Sequence, residues 1–330
     1  MNYKVINLDA PEIWTQSLKG CPHTFYHTWV YCQAISKSMN APIYLFVGQV
    51  DSQKMVCTYS IREKADGHPE LYTPYGFGGF YFNGQSKQDE LRKLWLKFAQ
   101  ENQFITAYVM SHPLTDLDDK WQNVAYDHSP VYTLDLTLSK EALWKNIRKG
   151  HKSELNKHLK DLAIELVTDK SILTEAFIEI YKSTMERVGA SEVYHFSTET
   201  LKSLIESDQA IVLGVKTENK IKTVTLFLYT DEVAEYFLSA SIEDGAAYTK
   251  LLMWKAVEHL LEKNIPTLHL GGGVRPNDSL EAFKRRFGGE KHEIVVIKEI
   301  FDQPRFDSLC ERFLEKNQKH SDFFPPYWKN

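Results

Sequence analysis

LHLGGGVRPNDSLEAFKRRFGGE, residues 268–290, reads as an apolar strand, a triple glycine, a polar loop, a short helix and a second glycine pair. Three glycines at the end of a buried strand weaken it unless the backbone has to approach something closely. Phosphate-holding glycine loops usually close with a lysine and a hydroxyl residue at the helix start. Here Lys284, Arg285 and Arg286 lie inside the helix instead. Asp278 or Asn277 is placed to cap that helix, Glu281 stands where a capping box wants it, and Gly288 stops it. Ala282, Phe283 and Phe287 are expected to supply the buried side, leaving Lys284, Arg285 and Arg286 partly outward. The plain alternative is a surface helix with solvated charges.

Outward from this stretch, periodicity gives alternating strands and helices. Strands are expected near 3–8, 42–50, 54–62, 69–73, 104–111 and 130–137, with helices near 11–19, 27–39 and 87–102. In the second half, strands are expected near 162–168, 210–216, 220–230, 233–241, 266–271 and 291–300. Helices fall near 171–186, 198–207, 247–263, 279–287 and 304–318. The order is nearly the same twice: a three-strand meander, a long helix, then another strand. VGQVDSQKMVCTYSI and LGVKTENKIKTVTLFL share a Gly-x5-Lys hairpin, Gly48 to Lys54 and Gly214 to Lys220, both offset by the same number of residues. Each long helix ends in an asparagine before an apolar strand, Asn102 and Asn264. A tandem duplication follows, with domains at 1–140 and 161–330 joined by a charged helix or helix pair over 141–160. An antiparallel meander followed by a helix and a parallel strand splays open where the pairing changes, and that gap exposes backbone to an amide or acyl chain. A dinucleotide fold is excluded, because neither βαβ alternation nor a G-x-G-x-x-G follows the first strand.

The totals agree with a two-domain globular chain: 330 residues, 43% hydrophobic and 25% charged,. A formal net charge of −5 gives no global basic field for nucleic acid, so phosphate recognition has to be local. Four scattered cysteines (Cys21, Cys32, Cys57, Cys310), an N-terminal stretch without secretory character and the lack of a long apolar run place the chain in the cytoplasm, with no transmembrane segment,. The histidines give no metal pattern; His23 and His27 are four apart but lack a metalloprotease context.

The strand–glycine–loop–helix with Phe283-Lys284-Arg285-Arg286-Phe287-Gly288-Gly289-Glu290, after the long helix LLMWKAVEHLLEKN, resembles the second domain of the FemABX-like aminoacyltransferases. These belong to the GNAT acyltransferase superfamily. TPYGFGGFYF (73–82), NIRKGHKSELNKH (146–158) and FFPPYW (323–328) extend the resemblance over most of the chain. It implies an α/β fold class of tandem duplicated GNAT (acyl-CoA N-acyltransferase-like) domains, with mixed, mostly antiparallel sheets and flanking helices. Simple GNAT enzymes carry a tyrosine in this helix to protonate coenzyme A thiolate; Lys284 stands in its place. The resemblance implies that the Phe283 carbonyl accepts the acceptor amine's proton and that Lys284 stabilises the transition state. A cation suits a tetrahedral oxyanion, and losing such a group costs about 3–4 kcal/mol in the barrier.

Donor contacts are expected at Gly245, Ala247, Gly271, Gly272, Gly273 and Arg285. The loop Ile242–Ala247 keeps the Gly-x-Ala of coenzyme A-binding GNATs, but Ile242 replaces their cation or amide. Glu243 and Asp244 also lie beside it, which disfavours a diphosphate. The co-substrate is acyl-CoA or aminoacyl-tRNA, with no permanently bound cofactor and no metal. Acceptor contacts are expected at Tyr75, Gly76 and Phe77, whose aromatics and glycines suit a sugar or peptide face, and at Arg148, Lys152, Arg187 and Tyr194. The plain alternatives are a packed turn for 73–82, a solvated face for 145–160 and a helix-terminal cation for Arg187. The function implied is an acyl or aminoacyl transfer, as free-base attack in an inter-domain cleft. It forms an amide on an amine of a cell-envelope precursor, a peptidoglycan-type peptide or an amino sugar. One rival is an acyl-CoA-dependent N-acyltransferase on an amino sugar in surface polysaccharide synthesis. Another is a non-catalytic glycan- or peptide-binding module. Partners are a small-molecule or lipid-linked precursor, tRNA, and a membrane surface met through the substrate.

Overall fold

Runs such as AIVLGV and TVTLFLY are rich in β-branched and aromatic residues and form strands buried on both faces,. The computed structural model describes residues 2–63, 67–118, 121, 125–273, 275, 278–317 and 323–328. In chain order the first half gives β1 (Asn2–Asn7), α1 (Pro11–Leu18), α2 (Trp29–Met39), β2 (Ile43–Val50), β3 (Gln53–Glu63), β4 (Pro69–Tyr72), β5 (Tyr81–Phe82), α3 (Gln88–Glu101) and β6 (Thr106–Met110). Then come β7 (Ala125–Asp135), α4 (Lys140–Asn146), α5 (Lys149–Lys160), β8 (Glu165–Val167), α6 (Lys170–Arg187) and α7 (Thr198–Glu206). The rest is β9 (Ala210–Thr217), β10 (Lys220–Tyr229), β11 (Ala234–Ser241), α8 (Thr249–Glu262), β12 (Thr267–Gly272), α9 (Ser279–Arg286), β13 (Glu290–Ile300) and α10 (Gln303–Asn317).

Two units result: Met1–Ser36, Asn40–His128 and Ile294–Asn330 form the first, Lys37–Met39 and Ser129–Glu293 the second. In the first, β2, β3 and β4 make an antiparallel meander and α3 leads to β6, which runs parallel to β4. The second repeats this: β9, β10 and β11 are antiparallel, and α8 leads to β12, parallel to β11. Each set of strands is then completed by a strand far from its meander in the sequence. β7, the strand after β6, pairs with β12 through Thr133↔His269 and Tyr132↔Gly271. β13, the strand after β12, pairs with β6 from Met110↔Val296 to Thr106↔Ile300.

This exchange places residues differently from the boundaries expected at 140 and 161. α4 and α5 are not a linker: Leu143, Ile147 and Leu155 are buried in the core of the second unit with Leu251, Trp254 and Leu260 of α8. The segment from Ile294 onward belongs to the first unit. Ile297 joins Phe46, Trp95 and Phe98 in its core, and Leu309 and Tyr327 pack on Ile105. The tail FFPPYW is anchored there too, because the Tyr327 hydroxyl and Trp328 Nε1 each donate to the buried Glu70 carboxylate at 2.5 Å.

Candidate active site

In the second unit β11 and β12 pair at only two positions, Ala234↔Leu268 and Glu235↔His269, although they are eight and six residues long. Beyond Tyr236 on one strand and Leu270 on the other they have no ladder between them, which is the splay expected from the order of elements. α9 lies where they part. Its N-cap is Asp278, whose Oδ1 accepts from Glu281 N at 2.8 Å and whose Oδ2 accepts from Arg275 N at 3.0 Å. Asn277, the other expected cap, is outside the described residues. Glu281 does not complete a capping box; its carboxylate accepts from the Tyr132 hydroxyl at 2.9 Å.

The inward side of α9 is polar, contrary to the reading of the sequence. Glu281 and Lys284 are its buried residues, while Ala282 and Phe283 are half-buried and Arg285 and Arg286 exposed. Positions 281, 284 and 287 follow the three-to-four spacing of one helix face; Phe287, at the C-cap, is buried as expected, and half-buried Phe283 beside it masked the rest of the signal,. The Lys284 side chain is 4% exposed. Its Nζ donates to Gly272 O at 2.5 Å and lies 5.9 Å from the centre of the Tyr236 ring. Burial pulls its pKa down to about 7, with Asp278 pulling the other way. Among the described residues no carboxylate forms an ion pair with it.

The triple glycine is explained by its own surroundings. A Cβ on Gly271, whose φ is +70°, would stand 3.2 Å from Lys284 Nζ. On Gly272 it would meet Pro130 O at 2.5 Å, and on Gly273 the capping oxygen of Asp278 at 2.5 Å. At 2.5 Å there is no room for a side chain, and at Gly271 the positive φ disfavours one,. The loop therefore closes on the lysine, on β7 and on the helix cap.

The remaining expected residues fall as follows. Phe283 O already accepts the helix bond from Phe287 N at 3.0 Å, leaving one lone pair,. Gly245 is packed against β10, where a Cβ would lie 1.9 Å from Lys222 O, and Ala247 is exposed in a 3₁₀ turn leading into α8. Beside that turn Asp244 is paired with Lys222 at 2.7 Å, which holds its carboxyl below the usual range. Arg187 Nη2 and the Thr184 hydroxyl both donate to Ser241 O, at 3.0 and 3.1 Å, so the guanidinium sits at the end of β11. Tyr194 is exposed and its carbonyl accepts from the Tyr181 hydroxyl at 2.6 Å. Arg148 caps α5, its backbone N donating to Arg286 O at 2.9 Å, and Lys152 Nζ donates to Lys145 O at 3.1 Å. The structure thus brings Gly271–Gly273, Phe283 and Lys284 together, with Arg148 at the far end of α9. Arg285 is exposed. A cavity of about 190 Å³ opens at that far end, lined by Leu143, Asn146, Ile147, Trp254, Phe287 and Gly288 among others; Lys284 does not line it.

Tyr75, Gly76 and Phe77 belong to the first unit. Tyr75 O accepts from the Tyr31 hydroxyl at 2.6 Å, and Phe77 packs edge-on against Tyr26 at 5.7 Å. The space beside Gly76 is filled by the Tyr26 ring. Gly79 N donates to Met110 O at 3.0 Å, and Gly79 O lies 2.8 Å from Nε2 of the buried His27. The stretch is a packed turn, with Tyr75 and Phe77 half-buried at its surface.

No family model and no curated protein sequence matches the chain. Solved structures do. FemX aligns over 93% of this chain and 99% of its own, at 13% identity and a TM-score of 0.68. The C-terminal domain of a putative lysylphosphatidylglycerol synthetase from Agrobacterium fabrum covers 93% and 96%, at 10% identity and 0.57. L-PGS from Bacillus licheniformis covers 94% and 98%, at 9% identity and 0.57. At these identities the likeness is one of fold: the chain has the fold of FemX, an α/β unit present twice in tandem.

Proposed function

We propose that the chain is an acyl- or aminoacyltransferase that forms an amide on an amine of a cell-envelope precursor. The observation that carries this reading is the buried Lys284 at the point where β11 and β12 part, against the Gly271–Gly273 loop. The fold it shares with FemX and with a putative lysylphosphatidylglycerol synthetase supports the same class.

In this reading the acceptor amine attacks the donor carbonyl as the free base. A nitrogen–carbon bond forms, the carbonyl oxygen takes up negative charge, and collapse expels the carrier. The amine's N–H hydrogen-bonds to the remaining lone pair of Phe283 O, and its proton leaves with the departing carrier. Lys284 answers the developing oxyanion. Its ammonium is poorly solvated before reaction, since a neutral carbonyl is its hydrogen-bond partner. An oxyanion beside it restores the missing counter-charge, so the interaction is stronger in the transition state than in the ground state. The same anion raises the lysine's pKa and keeps it protonated through the step. Orientation by the loop supplies much of the remaining acceleration, because an activated ester needs little covalent help.

Lys284→Met tests this directly. In an assay with an activated donor and an amine acceptor, kcat is expected to fall about 10²–10³-fold with donor affinity little changed. Unchanged turnover would exclude the role. A glycan- or peptide-binding module would show ligand binding in both proteins and turnover in neither.

The donor is proposed to be an aminoacyl-tRNA, with acyl-CoA and an amino-sugar acceptor as the second reading. One observation favours that second reading. Asp244, which stands beside the Gly245 turn, is neutralised by Lys222, so it repels a diphosphate less than its sequence position implies,. Thermal shift with acetyl-CoA against charged tRNA separates the two, since only the true donor raises the melting temperature, by an amount that grows with the logarithm of its excess over Kd.

A further inference from the structure

α5 is amphipathic in an unusual sense. His151 and Leu155 are its buried residues, and Glu154, on the flank, is held by Lys250 at 2.5 Å. The opposite face presents Lys149, Lys157 and Lys160 with Ser153 and Asn156, flanked by Glu154, which Lys250 holds, and by Asp161 at the C-cap,. Arg148 at the N-cap and Lys145 and Lys152, joined at 3.1 Å, continue the cationic surface. In a chain of net charge −5 this is a local exception. Around the C-terminal end of the same helix the fold leaves two apolar side chains in water, with Leu159 on the flank of Lys152 and Asn156,. Leu159 is 40% exposed and Leu162, in the turn after the helix, is 102% exposed.

We infer that this face docks on an anionic lipid bilayer. Cations around exposed leucines are the composition of a helix that lies in the headgroup region, the lysines meeting lipid phosphates and the leucines entering the acyl boundary. A polyanion such as RNA would use the cations but gains nothing from leucines; sequence-tolerant RNA surfaces add aromatic side chains for base stacking. α5 carries no exposed aromatic residue. The inference stands on charge and exposure, independently of the reaction proposed above.

Vesicle sedimentation with the full chain tests it. Vesicles of mixed phosphatidylglycerol and phosphatidylcholine are expected to carry the protein down, and pure phosphatidylcholine vesicles not. Lys157→Glu with Lys160→Glu is expected to weaken partitioning about tenfold or more. Leu159→Gln with Leu162→Gln is expected to weaken it severalfold, and Lys93→Glu, on an exposed helix of the first unit, to leave it unchanged. All these side chains are surface-exposed, so the variants fold, as their urea transitions would check. Failure to sediment with anionic vesicles overturns the inference. So does binding that the leucine pair leaves intact. If the charge-reversed pair loses tRNA binding while the leucine pair sediments as the parent does, the face is an RNA surface and the membrane reading falls.

Discussion

Burying an ammonium at Lys284 sets stability against chemistry. A pKa near 7 in the fold against 10.5 in the unfolded chain corresponds to roughly 5 kcal/mol of destabilisation at most. The sign follows from proton binding. Below about 7 the lysine is charged in both states and the fold carries the whole penalty. From there to 10.5 the native state gives up its proton first, so stability rises with pH and the penalty fades,. Lys284→Met is therefore expected to be more stable than the parent in urea unfolding, most clearly below neutrality, with the gap closing as pH rises towards 10.5,. A variant that is less stable at every pH would show that the ammonium is better compensated than its contacts indicate. Gly271 is the second residue of the pair. Gly271→Ala puts a methyl 3.2 Å from the ammonium at a positive φ, which costs about 1–2 kcal/mol. It is expected to lower kcat by displacing Nζ, measurable beside its urea midpoint. The Phe283–Lys284 dipeptide was legible in the sequence through a resemblance. The burial of Lys284 was not, because the two phenylalanines at 283 and 287 attract the buried face in any hydrophobic count.

At the scale of the element, α9 is eight residues long and depends on its ends. Asp278 performs two tasks, capping the helix through Glu281 N and raising the pKa of Lys284 by its charge. Two substitutions separate them. Asp278→Asn keeps a capping oxygen and removes the charge, so stability is expected to change little. The pH at which activity falls through loss of the Lys284 proton moves down. Asp278→Ala loses both and is expected to cost a further ~1 kcal/mol in urea unfolding. Equal pH profiles for the parent and Asp278→Asn would show that the carboxylate does not act on the lysine. Other elements were readable to within a few residues, because caps such as Ser139, Asp169, Ser197 and Asp278 mark helix starts locally. The aromatic–glycine stretch 73–82 was ambiguous for a physical reason. Glycine reports that something comes close, and only coordinates show that Tyr26 and Met110 of the same unit are what comes close.

For the whole molecule, the repeat was legible and its boundaries were not. Local periodicity identifies β7 and β13 as strands but carries no information about partners a hundred or more residues away. The exchange makes a testable demand on fragments. Residues 1–140 contain the first meander, α3 and β6 but lack β13. Without it β6 loses its partner from Thr106 to Met110. Arg92 and Trp95 Nε1 lose the Glu299 carboxylate they meet at 2.6 and 2.8 Å. Ile297 leaves a gap in the core beside Trp95. A ladder edge left unpaired, a buried indole donor and a half-buried guanidinium without their acceptor, and a cavity together exceed the margin of an ordinary domain. The 1–140 fragment is expected to show no cooperative urea transition, and adding residues 294–330 as a second chain is expected to restore one. Residues 129–293 hold β7 to β12 with their own core and are expected to unfold cooperatively alone. Cooperative unfolding of 1–140 without the C-terminal segment would mean that the first unit does not need the exchanged strand, and the division at residue 294 would lose its meaning.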